Sequence, residues 1–281
     1  MRIGVHVPIL RPLKESVSYA VRTGCTAFQI FPSNPRGWFP TQKPEHEIEA
    51  FRAAIMAAKI SPVVIHMPYL INLASADPDI RGKSLRLFIH TLTVADMLGA
   101  EMYVIHPGSA RNTTPQQALE NLAEGLKEAY SRQFQVEILI ENTAGQGALL
   151  GKTWKEFGDL AKKVGNQTRF CFDTAHAFAA GYDLSSQSGF EKMCEEIEEN
   201  IGMEYIKLIH ANDSARGLAT AADRHADIGE GFLGEEAFVR ITGHPVFRNL
   251  PYILETPKNS EEDDRRNIER LKKIYHQHSS R

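Results

Sequence analysis

The sequence predicts an α/β protein, a single-domain (β/α)₈ barrel over residues 1–281, and three observations predict it. Short β-branched or aromatic runs alternate with helical patterns along the chain, which implies parallel strands. Val63-Val64-Ile65 and Ile138-Leu139-Ile140 are continuous apolar runs, as expected of strands covered on both faces. Strand–helix units of this kind, about eight in roughly 250 residues, suit a closed barrel. A doubly wound open sheet is the competing reading. Against it, no Gly-x-Gly-x-x-Gly follows the first strand, and the reactive residues end many strands rather than flanking one crevice.

The expected strands are Ile3–Val7, Ala27–Phe31, Val63–His66, Met102–His106, Glu137–Glu141, Arg169–Asp173, Tyr205–His210 and Tyr252–Glu255. Apolar residues at three- and four-residue spacing predict helices over Pro44–Lys59, Ser84–Leu98, Pro115–Tyr130, Thr153–Val164, Phe190–Asn200 and Glu261–Tyr275. Pro115 suits a first helical position, and Thr153 precedes Glu156 by three residues as in a capping box. No linker, repeat or like-charge run marks a domain boundary.

Composition narrows the class. Apolar residues are 42% and charged residues 24%, which excludes disorder, collagen and coiled coil. No stretch approaches the roughly 20 apolar residues of a membrane span, and the N-terminus is patterned like a strand rather than a signal peptide. Cys25, Cys171 and Cys194 are far apart, so no disulfide framework or thiolate metal site is expected. The expectation is a cytoplasmic, monomeric protein. A formal charge of −3 argues mildly against a nucleic-acid partner, unless bound cations alter the sum.

The later strands carry the chemistry. They end in His66, His106, Glu141, Asp173, His210 and Glu255, and a barrel brings such strand ends to one face. One histidine at a strand end is ordinarily structural; six successive metal-ligating residues are a pattern. His176 follows Asp173 closely, and Asp223-Arg224-His225 places two donors on one side of an extended segment, where the bland alternative is a solvated Asp–His pair. The set of five His, two Asp and two Glu exceeds what one ion takes and fits two or three. Imidazole with carboxylate favours Zn²⁺, with Mn²⁺ or Fe²⁺ as substitutes. Metals so clustered suit phosphoester hydrolysis, and three divalent ions would bring the formal charge to about +3 at one barrel mouth.

Three segments carry a family resemblance: Glu141-Asn142-Thr143-Ala144-Gly145-Gln146-Gly147, Phe172-Asp173-Thr174-Ala175-His176 through Asp183, and His210-Ala211-Asn212-Asp213-Ser214 followed by Asp223-Arg224-His225. They resemble the endonuclease IV family of zinc-dependent apurinic/apyrimidinic endonucleases. The likeness runs from Gly4-Val5-His6 to Leu254-Glu255-Thr256-Pro257. It implies a (β/α)₈ barrel with three zinc ions. His66 and His106 would hold one and share Glu141 with a second, which Asp173, His210 and Glu255 complete; His176, Asp223 and His225 would hold the third. The implied reaction on duplex DNA is hydrolysis 5′ to an abasic site, with Glu141 at the reacting centre, leaving a 3′-hydroxyl and a 5′-deoxyribose phosphate. Removal of 3′ blocking groups is also implied.

The resemblance further implies that Arg36, Tyr69 and Leu70 penetrate the DNA stack around a flipped-out abasic nucleotide. The family often has Lys where Ser33 stands, so one backbone contact is expected to be missing. His6 is expected on the pocket floor. His90, His276 and His278 are read as solvated or structural, and Cys171 as a core thiol. Two rivals remain: a xylose-isomerase-like sugar isomerase or epimerase, for which His66, His106 and the Asp223/His225 pair are surplus, and a lesion-binding protein without turnover, against which the intact ligand set argues.

Overall fold

In the computed structural model, which describes residues 1–38 and 43–277, every expected strand forms near its expected limits. The strands are β1 (Ile3–Val5), β2 (Phe28–Ile30), β3 (Val63–His66), β4 (Met102–Ile105), β5 (Glu137–Glu141), β6 (Arg169–Asp173), β7 (Ile206–His210), the two-residue β8 (Asp213–Ser214) and β9 (His225–Ala226), and β10 (Tyr252–Leu254). The helices are α1 (Lys14–Arg22), α2 (Glu45–Ala58), α3 (Pro78–Leu98), α4 (Pro115–Ser131), α5 (Trp154–Val164), α6 (Thr174–Ala180), α7 (Gln187–Asn200), α8 (Glu235–Gly243) and α9 (Glu261–His276). His278 lies outside the described residues.

Local chemistry explains the differences from expectation. Helix α3 starts at Pro78, ahead of the expected Ser84, because Asp77 accepts hydrogen bonds from Asp79 N and Ile80 N and Pro78 opens the first turn. That turn is exposed and so carries no apolar period. Thr153 caps α5 through Glu156 N at 3.3 Å, but the Glu156 carboxylate turns upstream to Gly151 N and Lys152 N, so the box is not reciprocal. Helices α1, α6 and α8 have at most nine residues, too few to display a clear period.

Eight strands pair in parallel in the order β1-β10-β7-β6-β5-β4-β3-β2. The seam between β1 and β2 closes through a parallel bridge between His6 and Gln29, with Val7 N donating to Gln29 O at 2.8 Å. Gly4 makes that seam possible, since a Cβ there would stand 1.6 Å from the carbonyl oxygen of Ala27. No side chain fits.

Alternation along the strands sorts residues into two cores. Outward residues such as Ile65, Tyr103, Ile140 and Phe172 pack under the helices; Trp154 of α5 meets Phe172 edge-on at 5.9 Å. Complete burial of such side chains contributes roughly 1.5–3 kcal/mol each. Inward residues form a separate layer inside the barrel: Ala27, Val64, Val104, Leu139, Cys171, Leu208 and Ile253. That apolar plug is the floor on which the next inward layer stands.

Candidate metal centre

Two residues beyond each member of the plug, the strand again points inward. Those positions hold Gln29, His66, His106, Glu141, Asp173, His210 and Glu255, and His6 stands two beyond Gly4. The period of two along parallel strands thus collects eight polar side chains in one ring at the C-terminal mouth of the barrel.

Glu141 is the hub. Its Oε2 lies 3.2 Å from Nε2 of both His66 and His106, and its Oε1 lies 3.0 Å from His210 Nδ1 and 3.3 Å from His176 Nδ1. Donor atoms gather in three groups able to hold an ion: His66, His106 and Glu141; Glu141, Asp173, His210 and Glu255; and Asp173, His176 and His225. Asp223 Oδ1 adds to the third, 3.3 Å from His176 Nε2 and 3.4 Å from His225 Nε2. All nine side chains singled out in the sequence therefore meet, with Asp173 standing in two groups at once.

Asp173 ends β6 and caps α6, its Oδ1 accepting from His176 N at 2.7 Å. The strand-to-helix turn thereby lifts His176 over the ring. The hairpin of β8 and β9 delivers His225 and Asp223 from the other side. Its anchor is Asp213, a fully buried carboxylate that accepts from the backbone N–H of Ser214, Gly231, Leu233 and Gly234 at 2.7–3.2 Å.

Outer hydrogen bonds decide which nitrogen each imidazole presents. Carbonyl oxygens only accept, so His66 donates from Nδ1 to Met67 O, His176 from Nδ1 to Asn142 O, and His225 from Nδ1 to Glu255 O, at 2.9–3.0 Å. In each ring Nε2 is left facing the centre, the arrangement that orients metal-ligating histidines. Nε2 of His225 is buried there with no hydrogen-bond partner. Asn212 steadies the carboxylates, donating to Asp173 Oδ2 and accepting from Glu255 N, both at 2.7 Å.

The electrostatics ask for cations. Burial raises the Glu141 carboxyl, but His210 and His106 outweigh it and hold the group well below the usual range. Burial likewise opposes ionisation of Glu255, and His210 reverses the effect. His176 is disfavoured as a cation by burial yet raised well above its ordinary value, first by Asp173 and then by Asp223 and Glu141. Among the described residues, no lysine or arginine pairs with any of the four carboxylates; their ion-pair partners are all histidines. Divalent ions, or protons on the imidazoles, are what remain to neutralise them.

A cavity of about 330 Å³ opens above the ring, lined also by Phe31, Tyr69, Thr256 and Lys258. Tyr69 is 60% exposed, its ring 5.2 Å from Phe31 in edge contact, and its backbone N–H donates to Pro35 O, tying its loop to the one that carries Arg36. Arg36 is exposed and Leu70 half-buried. Ser33 is turned inward, its Oγ buried without a partner. His6 sits in the cavity wall beside Glu255, whereas His90 in α3 and His276 at the end of α9 lie outside the ring. Sequence reasoning passed over Gln29 and Asp213; the signal for Gln29 was an amide amid the apolar run Ala27-Phe28-Gln29-Ile30-Phe31.

Known proteins match this architecture. A family model described as a xylose isomerase-like TIM barrel matches residues 17–274. The chain is 39% identical over 280 residues to "Probable endonuclease 4" of Solibacter usitatus, covering 98% of this chain and 97% of that one. It is 36% identical over 266 residues to the protein of the same name from Halothermothrix orenii, with 94% and 96% covered. The crystal structure of endonuclease IV from Thermus thermophilus superposes with a TM-score of 0.87 at 34% identity, covering 99% of this chain and 100% of that one. A D-tagatose 3-epimerase-like protein shares the fold, with a TM-score of 0.76 at 21% identity, 100% of this chain and 99% of that one being covered. By near-full-length identity joined to this barrel, the chain belongs to the endonuclease IV family.

Proposed function

We propose that this protein is a metal-dependent endodeoxyribonuclease of base excision repair. It hydrolyses the phosphodiester 5′ to an abasic site in duplex DNA, leaving a 3′-hydroxyl and a 5′-deoxyribose phosphate, and also clears 3′ blocking groups. The observation that carries the reading is the convergence of nine His, Asp and Glu side chains, Glu141 at their centre, at the open mouth of a barrel of this family. The epimerase alternative has likeness of fold alone behind it.

Three zinc ions fit the donor set, with Mn²⁺ or Fe²⁺ as substitutes: mixed imidazole and carboxylate, no thiolate, and a buried bare nitrogen on His225. His66, His106 and Glu141 would hold the first, Glu141, Asp173, His210 and Glu255 the second, and His176, Asp223 and His225 the third. Such ions, when bound, supply Lewis-acid charge to the oxygens of a phosphate in displacement.

The chain's own residues do the rest. Met67, Asn142 and Glu255 carbonyls keep three imidazoles in the ligating tautomer, so no reorganisation is needed when substrate arrives. The apolar plug below the ring keeps water from entering beneath. At the rim, Tyr69, Leu70 and Arg36 would wedge into the duplex where an abasic nucleotide is weakly stacked. The protein is read as a cytoplasmic monomer in which the whole chain forms one catalytic domain; no helix among the described residues is long and apolar enough to cross a membrane.

The deciding experiment is incubation of the metal-loaded protein with a duplex carrying one tetrahydrofuran abasic analogue. This analogue cannot undergo β-elimination. Incision 5′ to it demonstrates hydrolysis, and an intact duplex under saturating metal rejects the reading.

A further inference from the structure

Two members of the polar ring, His6 and Gln29, lie outside the donor set, and Gln29 is the one that touches the donors most closely. Its side chain is fully buried at the seam where the barrel closes. Gln29 Oε1 lies 2.9 Å from His210 Nε2, while Gln29 Nε2 lies 2.6 Å from Glu255 Oε1 and 2.9 Å from His6 Nδ1.

Only one orientation of the amide satisfies all three contacts. Its oxygen accepts and cannot donate, so His210 carries a proton on Nε2. Its two N–H bonds go to the Glu255 carboxylate and to His6 Nδ1, which accepts. Reversing the amide would put its oxygen 2.6 Å from the Glu255 carboxylate oxygen, a repulsive contact with no donor between them.

We propose that Gln29 is a positioning residue of the metal centre. By accepting the His210 Nε2 proton it fixes Nδ1, which donates to Glu141 Oε1 at 3.0 Å, as the nitrogen that would exchange its proton for an ion. By donating to Glu255 Oε1 it leaves Oε2 as the oxygen turned toward His210, at 3.7 Å. His66, His176 and His225 rely for the same service on main-chain carbonyls, which substitution does not remove. His210 relies on a side chain. The inference rests on the metal reading of the cluster and adds to it a residue that belongs to no ion.

The test is Gln29→Met, which keeps volume and removes the amide. Zinc affinity is measured by competition with a chromogenic chelator, and the His210 ring by ¹H–¹⁵N correlation spectra of the metal-free and zinc-loaded protein. Loss of an outer-shell partner is expected to weaken zinc binding roughly 10- to 100-fold and to expose the His210 Nε2 proton to fast exchange. Wild-type affinity together with a still-protected proton in Gln29→Met overturns the proposal. So does a wild-type protein in which His210 Nε2 carries no proton, a result that needs no variant to fold. Zinc-loaded wild type that leaves the abasic duplex intact overturns the nuclease reading while Gln29 keeps its role; wild type that takes up no zinc overturns both.

Discussion

Glu141 Oε1 and His210 Nδ1 stand 3.0 Å apart although their strands, β5 and β7, are separated in the sheet by β6. The barrel's curvature makes that contact, and it sets Glu141 between two donor groups. Glu141→Gln preserves shape and removes the charge. Fold and DNA binding should survive, while single-turnover cleavage of the tetrahydrofuran duplex should slow at least about a hundredfold, the scale of losing one preorganised charge-stabilising group. Near-normal turnover would take Glu141 away from the reacting centre.

Metal content follows from the three donor groups. Purified active protein should contain two to three transition-metal ions per chain, mostly zinc, by elemental analysis. One ion or fewer in fully active protein would exclude the multinuclear assignment.

The pH dependence has a sign that can be worked out. Glu141 and Glu255 are depressed below the ordinary carboxyl range, so their contribution is present above about pH 4.5 and lost as pH falls through their folded values. Burial opposes charging of His66, His176 and His210, but Glu141 raises the first, Asp173 with Asp223 and Glu141 the second, and Cys171 with Glu141 and Glu255 the third. Their contribution is therefore complete below about pH 6.5 and lost as pH rises through their folded values. Metal-free protein should therefore be most stable between those limits. Metal requires the bare nitrogens, so its binding strengthens with pH. The gap in Tm between metal-loaded and chelator-treated protein should widen from about pH 6 to about pH 8. A calorimetric gap that narrows over that range would mean the imidazoles are not ligands.

Tyr69 lies on the rim rather than in the ring, and its exposed ring separates the wedge from the chemistry. Tyr69→Ala should cost roughly 1–3 kcal/mol of affinity for abasic duplex, the scale of one aromatic stacking contact, with metal content unchanged. Binding is compared on duplexes with and without the tetrahydrofuran analogue. Equal loss on both, or no loss on the abasic one, would reduce Tyr69 to loop packing.

Much of this protein was legible in its sequence because the signal was repeated. A strand ending in a carboxylate or imidazole says little once, but His66, His106, Glu141, Asp173, His210 and Glu255 repeat it at successive strand ends, and parallel strands can only carry such ends to one face. What the sequence by itself determined was therefore the barrel, the nine His, Asp and Glu side chains that meet at its mouth, and the family to which the chain belongs. What only the tertiary structure decided was partnership. Nothing in one dimension says that His176 shares Asp173 with His225, that Asp213 anchors the loop bearing Asp223, or that Gln29 faces His210 from 181 residues away. The reason is physical: a strand's period of two dictates which side chains point inward, whereas the hydrogen bonds they make depend on how neighbouring strands stagger when the sheet closes, and at this seam closure waits on Gly4 and the missing Cβ opposite Ala27.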